Sequence, residues 1–263
     1  SVNNQIILDT DCYKSFEFGG TAWIEVMSLI PRKRIAIPLN TNRVPSGTLR
    51  LLLRNGKVEV HYSVNEVEAC CTRECGDQII GVDKGYREAF IDSDGFKHAE
   101  NLGILLSAES DYLKVKHQRR NKIRAIAKAK SHKRNNIEKN NFGRSKLNSR
   151  KARHTSKIRN IVYQAVHQIV DKAETIVCED LTFVVKSRSL GKNTNRRLSG
   201  WVKGLLAEAI SNVSRRRGSS VVLINAAYTS QTDSRHGILL GKRAGKKFYC
   251  FDGVVLDADQ NAA

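Results

Sequence analysis

The sequence predicts an α/β fold, because buried strands alternate with amphipathic helices along most of the chain. Three apolar segments are typical of buried strands: QIIGVD, TIVCEDL and SSVVLINAAY. Two segments between them have apolar residues at helical spacing, IRNIVYQAVHQIVDKAE and LSGWVKGLLAEAISNVSRRRG. In the second of these helices, Ser199 is a candidate N-cap and Gly218 a candidate stop. Each helix can therefore bury its apolar side against a shared sheet.

The first part of the chain has a different pattern, since residues 1–76 are rich in predicted strands and poor in predicted helices. Strand patterns occur in WIEVMSLI, RIAIPLN, GTLRLLLRN and KVEVHYSV. The pair Asn55-Gly56 between the last two predicts a tight hairpin. We expect a β-rich, barrel-like segment here and a separate α/β domain over residues 77–263.

A strongly basic segment interrupts the α/β domain. The chain has a net charge of +19, from 45 Lys and Arg against 26 Asp and Glu. Residues 114–159 alone contain eighteen Lys or Arg and one acid, Glu138. This pattern predicts a long basic helical insertion, about residues 111–171, with a break near residues 140–143. Intrahelical repulsion would be uncompensated without a polyanion, which favours a nucleic-acid surface over a merely solvated helix.

A set of basic side chains is therefore expected to contact phosphates. It comprises Lys116, Arg119, Arg120, Lys122, Arg124, Lys128, Lys130, Lys133, Arg134, Arg150, Lys151, Arg153, Arg196, Arg197 and Arg235. The last three lie outside the insertion, Arg196 and Arg197 in a stretch, KSRSLGKNTNRR, that is typical of a mobile loop. Such contacts position a nucleic acid but carry little sequence information.

Several classes of protein are disfavoured by composition. The sequence has no run of about 18 apolar residues and no signal-peptide pattern at its start, so we expect an intracellular protein with no membrane partner. Six irregularly spaced cysteines do not suggest a disulfide framework and are expected to be reduced. The chain lacks an initial Met and stops within a helix-like segment, DADQNAA, which suggests a fragment.

Three acids occupy positions where strand ends would converge. Asp83 ends QIIGVD, Glu179 follows TIVC, and Asp259 stands just before an alanine-rich helix start. Because strand ends of an α/β sheet line one crevice, these carboxylates could meet and bind Mg²⁺. Any one of them could instead be a turn or capping residue. Asp257 is the alternative to Asp259.

The same segments carry a resemblance to a known family. GVDKGYREAFIDSDG resembles the first RuvC motif of TnpB nucleases and type V CRISPR effectors, IVCEDL resembles the second, and YTSQ followed by LDADQNAA resembles the third. The resemblance covers residues 77–263 and implies an RNase H-like (RuvC) mixed sheet flanked by helices. It also implies that Asp83, Glu179 and Asp259 bind two Mg²⁺ ions and are catalytic. Residues 1–76 are similar to the wedge domain of these proteins.

One insertion departs from the family pattern. The resemblance implies a zinc knuckle with two Cys pairs after Thr-Ser-Gln, at about residues 229–256. The residues at the corresponding positions are Asp233, His236, Cys250 and Asp252. They could in principle bind Zn²⁺, but a metal-free loop held by hydrogen bonds is the favoured alternative. Arg235, Arg243 and the neighbouring lysines suit phosphate contacts in either state.

The resemblance implies an RNA-guided DNA endonuclease, or its C-terminal portion, that cleaves phosphodiester bonds by two-metal-ion hydrolysis. The expected partners are a guide RNA and a target DNA, and the expected location is the cytoplasm of a prokaryotic cell. An alternative is a nuclease-inactive, guide-RNA-dependent DNA-binding protein of the same family. A third, a basic RNA-binding structural protein, would leave the three acids unexplained.

Overall fold

A computed structural model describes residues 5–54, 56–65, 73–181, 191–226 and 229–263. The chain divides into two compact units near residue 70. In the part of the chain that the structure describes, no helix is long and apolar enough to cross a membrane.

The first unit consists of two three-stranded antiparallel sheets. One contains β1 (Gln5–Leu8), β5 (Leu49–Arg54) and β6 (Lys57–His61), and the other contains β2 (Tyr13–Phe18), β3 (Thr21–Met27) and β4 (Arg34–Pro38). Their buried faces share one core, which includes Tyr13, Ala22, Ile24, Val26, Leu39 and Leu49. The β-rich prediction holds for this unit, although the strands of residues 5–61 form two separate sheets rather than one closed barrel.

The expected hairpin joins β5 to β6, with Arg54 opposite Lys57. Gly56 has a φ of +76°, a left-handed conformation that glycine adopts without strain. Asn55, the other residue of the predicted turn, lies outside the described residues. Strands β1 and β2 were not predicted, because β1 is only four residues long and the aromatic residues of β2 are not evenly spaced.

The second unit is built on a five-stranded mixed sheet of order β11-β10-β7-β8-β9. Its strands are β7 (Gln78–Lys84), β8 (Phe90–Asp92), β9 (Lys97–His98), β10 (Ala173–Asp180) and β11 (Ser220–Asn225). The strands β7, β10 and β11 run parallel, and β8 and β9 extend the sheet as antiparallel neighbours. The prediction of an α/β class is therefore confirmed.

Helices follow the strands of this sheet. They are α1 (Leu102–Ala129), α2 (Arg134–Asn141), α3 (Ser145–Val170), α4 (Lys192–Leu198), α5 (Lys203–Arg217) and α6 (Ala258–Ala262). The basic insertion is helical, with the expected break at residues 142–144 and an unpredicted one at residues 130–133.

Helices α3 and α5 cover one face of the sheet. The core between them includes Val162, Val166, Ile169, Leu206 and Ile210 from the helices and Ile80, Val82, Ile176 and Cys178 from the strands. Burying an aliphatic side chain of this size contributes about 1.5–3 kcal/mol, so this contact is the main support of the unit. The opposite face of the central strands is left for the functional residues described below.

Three local predictions were wrong. Ser199 does not cap α5; it follows the end of α4, and its hydroxyl donates to the carbonyl of Arg196. The other predicted end of this helix is confirmed, since Gly218 ends α5 in a left-handed conformation (φ +80°). Residues 192–198 of the expected loop are helical. Strand β11 is mostly exposed rather than buried, because among the described strands it pairs with β10 alone.

A small antiparallel sheet precedes the last helix. It consists of β12 (Lys242–Ala244), β13 (Lys247–Tyr249) and β14 (Val255–Asp257), and it packs around the buried Phe248. Because β14 runs directly into α6, this sheet determines where α6 begins.

Candidate metal-binding site

Asp83 and Glu179 lie on neighbouring parallel strands, on the same side of the sheet. In the register of β7 with β10, Val82 is opposite Cys178, so the next residues along the strands, Asp83 and Glu179, are neighbours too. Val82 and Cys178 are buried in the helix-covered core. Since side chains alternate along a strand, Asp83 and Glu179 project from the opposite, open face.

Helix α6 brings Asp259 to the same face. It crosses β7 at Gly81, where an added Cβ would lie 1.6 Å from the backbone carbonyl oxygen of Ala263. Glycine is therefore required for this close approach. The alternative acid, Asp257, is the N-cap of α6, and its carboxylate accepts from the N–H groups of Asp259 (2.9 Å) and Gln260 (3.2 Å). That capping role leaves Asp259 as the acid that faces the sheet.

The three carboxylates repel one another. The pKa of Asp83 is raised to about 6, first by burial and then by the charges of Glu179 and Asp259. The backbone N–H of Lys84 and the charge of Arg243 oppose the rise without cancelling it. A rise of this size corresponds to about 3 kcal/mol of unfavourable free energy for the ionised form. The three acids predicted from far-separated parts of the sequence therefore form one electrostatic cluster.

Two further side chains hold the cluster, and neither was predicted as a site residue from the sequence. The hydroxyl of Thr229 donates to Oε1 of Glu179, and Nη2 of Arg243 donates to Oδ1 of Asp259 at 2.5 Å. Thr229 belongs to the TSQ motif, which could have singled it out. Arg243 stood out only as one of several basic residues, because its position on β12 depends on the small sheet.

This donor set fits Mg²⁺. Its ligands are carboxylate oxygens, which Mg²⁺ prefers, and the raised pKa of Asp83 shows a surplus of negative charge that a divalent cation would neutralise. The nearby Asp92 is different. It is fully buried, and it accepts hydrogen bonds from His98 (3.0 Å), Lys172 (3.0 Å) and the N–H of Phe96 (2.8 Å). Burial would raise its pKa, but these partners lower it, so Asp92 is satisfied within the protein.

The candidate zinc ligands lie at the other end of the small sheet. One ligand atom each from Asp233, Cys250 and Asp252 lies within 4.8 Å of the others. Nδ1 of His236 is 3.2 Å from Asp233, so all four predicted residues are brought together. A cation of the protein itself, the guanidinium of Arg235, lies among them and contacts Asp252 at 2.8 Å and Asp233 at 3.4 Å.

Hydrogen bonds also determine the charge state of this second cluster. Burial would raise the pKa of Asp233, but bonds from the backbone N–H of Arg235, from His236 and from Cys250 lower it to about 2. The hydrogen bonds that Arg235 donates to Asp252 lower the pKa of Asp252 and raise the pKa of Arg235. Both carboxylates are therefore ionised and paired at neutral pH.

The basic residues proposed to bind phosphate fall into two groups. Seven of them are exposed on the insertion, and their side chains form no hydrogen bond or ion pair with the described residues: Lys116, Arg119, Lys122, Lys128, Lys130, Lys133 and Lys151. The other eight have contacts within the protein. Arg150 forms a bidentate pair with Glu109 and lies 3.7 Å from the ring centroid of Tyr112. Hydrogen bonds are also made by Arg120, Arg124, Arg134, Arg153, Arg196, Arg197 and Arg235.

A cavity of about 530 Å³ lies among α1, α3 and α5. Apolar side chains such as Leu106, Ile158 and Leu205 line it together with basic ones such as Arg124 and Lys151. None of the three clustered carboxylates lines it, so this cavity is separate from the candidate metal site.

Comparisons with known proteins find one family model and several solved structures that resemble this chain. Residues 204–263 match the family model of the Cas12f1-like TNB domain. The chain also resembles the solved Cas12f1–sgRNA–target DNA complex, with a TM-score of 0.53 and 12% sequence identity over 98% of this chain and 63% of that one. At this level of identity, the likeness to the solved structure shows a shared fold. None of the curated proteins matches it.

A second solved structure, CasPhi-2 (Cas12j) bound to crRNA, resembles the chain with a TM-score of 0.52 and 14% identity over 92% of this chain and 61% of that one. The chain thus spans less than two thirds of the length of either solved protein. The matched TNB segment contains α5, β11, the small sheet and α6, and so includes Asp259 and the Arg235 cluster.

Proposed function

We propose that residues 77–263 form a RuvC-like nuclease domain of RNase H-like fold, in an RNA-guided DNA endonuclease or its C-terminal portion. One observation carries the proposal: Asp83, Glu179 and Asp259 lie on the face of the sheet opposite α3 and α5, where burial and the two neighbouring carboxylates raise the pKa of Asp83. The mixed sheet, three parallel strands extended by an antiparallel hairpin, supports the RNase H-like assignment.

The three carboxylates would hold two Mg²⁺ ions, which supply the Lewis acidity for phosphodiester hydrolysis. Asp83 would be one of the ligands, since burial and the charges of Glu179 and Asp259 raise its pKa and a bound cation would offset both effects. Thr229 orients Glu179 through its hydroxyl. Arg243 balances the charge of Asp259 and can turn to a substrate phosphate once a cation is bound there.

The remaining parts fit a polyanionic partner. The proposed partners are a guide RNA and a target DNA, which the solved Cas12f1 complex contains. In the insertion, about residues 111–171, the seven exposed cations whose side chains form no hydrogen bond or ion pair with the described residues would bind phosphates, and residues 1–76 would act as a wedge-like segment. By the same resemblance, the protein would act in the cytoplasm of a prokaryotic cell.

A cleavage assay tests the proposal. The full chain is purified with its copurified RNA, the RNA is sequenced, and labelled single-stranded DNA carrying a complementary target is incubated with Mg²⁺ or with EDTA. Cleavage is expected with Mg²⁺ only. Asp83→Ala should abolish it while binding remains, and Asp94→Ala, an acid of an exposed turn, is the matched control. Equal cleavage by the wild type and Asp83→Ala would refute the assignment.

The second candidate function is DNA binding without cleavage in the same family. The altered residues 229–256 favour it mildly, because the expected Cys pairs are replaced there. Target binding with bound RNA but without Mg²⁺-dependent cleavage would establish this alternative.

A further inference from the structure

The candidate zinc ligands already surround a positive group. Nη2 of Arg235 donates to both carboxylate oxygens of Asp252 at 2.8 Å and lies 3.4 Å from Oδ2 of Asp233. The backbone N–H of Arg235 donates to Oδ1 of Asp233 at 3.0 Å. Asp233 is fully buried, and the sulfur of Cys250 lies within 4.8 Å of a carboxylate oxygen of Asp233 and of Asp252. Both carboxylates are therefore engaged by one guanidinium.

A zinc ion does not fit this arrangement. Zinc needs about four donor atoms at roughly 2.0–2.3 Å around one point. Here the carboxylates of Asp233 and Asp252 accept hydrogen bonds from the guanidinium, and Nδ1 of His236 is 3.2 Å from Asp233. Zinc binding would thus require Arg235 to leave two carboxylates, one of them fully buried.

We propose that the guanidinium of Arg235 replaces the metal ion as the cation that holds residues 229–256 together, so that this segment folds without zinc. A planar guanidinium suits the role, because its donors form a rigid fork that can engage several carboxylate oxygens at once. Arg235 is accordingly a structural cation rather than a phosphate ligand.

The contacts of Arg235 extend towards the three-carboxylate site. Asp252 lies in the turn between β13 and β14, and Asp233 begins a turn that closes through its N–H to the carbonyl of Ile238 at 2.9 Å. Asn261 of α6 is bonded to both sides of Asp233: it donates to the carbonyl of Thr232 (2.7 Å) and accepts from the N–H of Ser234 (3.0 Å). Arg235 therefore acts as a positioning residue for α6, and through it for Asp259.

Metal analysis of the full chain is the first test. The protein is purified without added zinc, incubated with ZnCl₂, passed through a desalting column and analysed by mass spectrometry for metals. Zinc well below one ion per chain is expected, and a chelator should leave the melting temperature unchanged. One tightly held zinc per chain, or a melting temperature lowered by the chelator, overturns the proposal.

Thiol labelling gives a local readout of the same cluster. Cys250 is 6% exposed, and its alkylation rate, measured by mass spectrometry, should rise about tenfold or more in Arg235→Ala, as expected when a locally closed segment opens. Cys178, in the main sheet, is the internal reference, and Lys247→Ala, an exposed cation of β13, is the matched control. Equal Cys250 labelling in Arg235→Ala and wild type would contradict the proposal.

A conservative variant tests the same contact in case Arg235→Ala does not fold. Arg235→Lys keeps the charge but cannot engage both carboxylates as a fork. Cys250 should be labelled faster than in the wild type, with an unchanged circular dichroism spectrum; unchanged labelling overturns the proposal. These measurements use no nucleic acid, so they stand or fall independently of the proposed nuclease activity.

Discussion

Two carboxylate clusters of the same unit show opposite electrostatics. Asp83, with Glu179 and Asp259 nearby, has a pKa raised to about 6, whereas Asp233, beside Asp252, has a pKa lowered to about 2. Burial acts in the same direction on both. The difference comes from their partners: the first cluster has one guanidinium at its edge, Arg243, and the second has a guanidinium within it together with several N–H donors.

The Asp83 cluster needs an external cation to balance its charge, whereas the Asp233 cluster does not. Ionised carboxylates that repel one another weaken the fold and persist where function requires them. Carboxylates paired inside the protein stabilise it instead. The chain therefore keeps unbalanced charge where a phosphodiester could be cleaved and balanced charge where a zinc ion would otherwise hold the backbone.

Replacing one acid in each cluster should have opposite effects on stability. Asp83→Asn removes a repelled charge, so we expect the metal-free chain to gain about 1–3 kcal/mol in unfolding free energy at pH 7 and cleavage to fall on the order of 10³-fold. Asp233→Asn removes a paired charge and should lower stability. Urea unfolding in EDTA and the DNA cleavage assay measure both effects.

The thermal response to Mg²⁺ is the control for this pair of variants. Added Mg²⁺ should raise the melting temperature of the wild type and of Asp233→Asn, but much less that of Asp83→Asn, because only the last has lost a ligand of the proposed site. A loss of stability in Asp83→Asn, similar to that in Asp233→Asn, would mean that the two clusters do not differ in the way described.

A single substitution in β7 can disrupt the close approach of α6 to this strand. Gly81→Ala places a Cβ 1.6 Å from the carbonyl oxygen of Ala263, so α6 must move and carry Asp259 away from Asp83. We expect cleavage to fall at least about a hundredfold, because small displacements of reacting groups have effects of this size. Gly204→Ala is the matched control, since nothing lies within 4 Å of its added Cβ. Similar activity in both variants would contradict the arrangement.

The raised pKa of Asp83 predicts a pH dependence that the second cluster should lack. In the metal-free chain the native state holds the Asp83 proton up to about pH 6, whereas an unperturbed aspartate loses it near pH 3.8. The native state thus binds more protons in this window, and stability should fall as pH rises from about 4 to 6. For Asp233 the pKa is lowered to about 2, so its contribution is present above pH 4 and lost as pH falls towards 2.

Protonation of Asp83 should also compete with Mg²⁺. Cleavage should therefore fall about tenfold per pH unit below pH 6, and higher Mg²⁺ should move the midpoint to lower pH. The difference in unfolding free energy between the wild type and Asp83→Asn, measured from pH 4 to 7, isolates the Asp83 contribution. A difference that is flat over this range would show that Asp83 is not repelled.

The sequence was informative where strand pattern alone decides the position. Asp83 and Glu179 follow apolar runs on strands that pair in parallel, and this register could be expected from an α/β pattern. It was less informative where a position depends on contacts between distant segments. Gly81 looked like one more strand residue, because the helix that packs on it, α6, comes more than a hundred residues later. Arg243 looked like a surface cation, because its contact with Asp259 depends on the small sheet of β12, β13 and β14.

Charged residues of the basic insertion were the hardest to sort by sequence. Lys122 and Arg150 both appear in a run of cations with almost no acid. Only the structure shows that Arg150 is paired with Glu109, an acid of α1 that lies before the run begins. Pattern and charge predicted a nucleic-acid surface but could not separate cations that face solvent from those that hold helices together.

The smallest expected effects distinguish an exposed cation of the insertion from one that is paired within the protein. Lys122→Ala removes an exposed cation, so affinity for a labelled nucleic acid should fall a few-fold and the slope of log K against log salt should decrease by about 1, with stability changed by less than about 0.5 kcal/mol. Arg150→Ala removes a bidentate pair, with Nη2 at 2.6 Å from Glu109, and a stacking contact with Tyr112. It should lower the melting temperature and leave the salt slope nearly unchanged. Fluorescence anisotropy at several salt concentrations and thermal unfolding distinguish the two variants. A larger decrease in the salt slope in Arg150→Ala than in Lys122→Ala would show that the paired cation, not the exposed one, contacts phosphate.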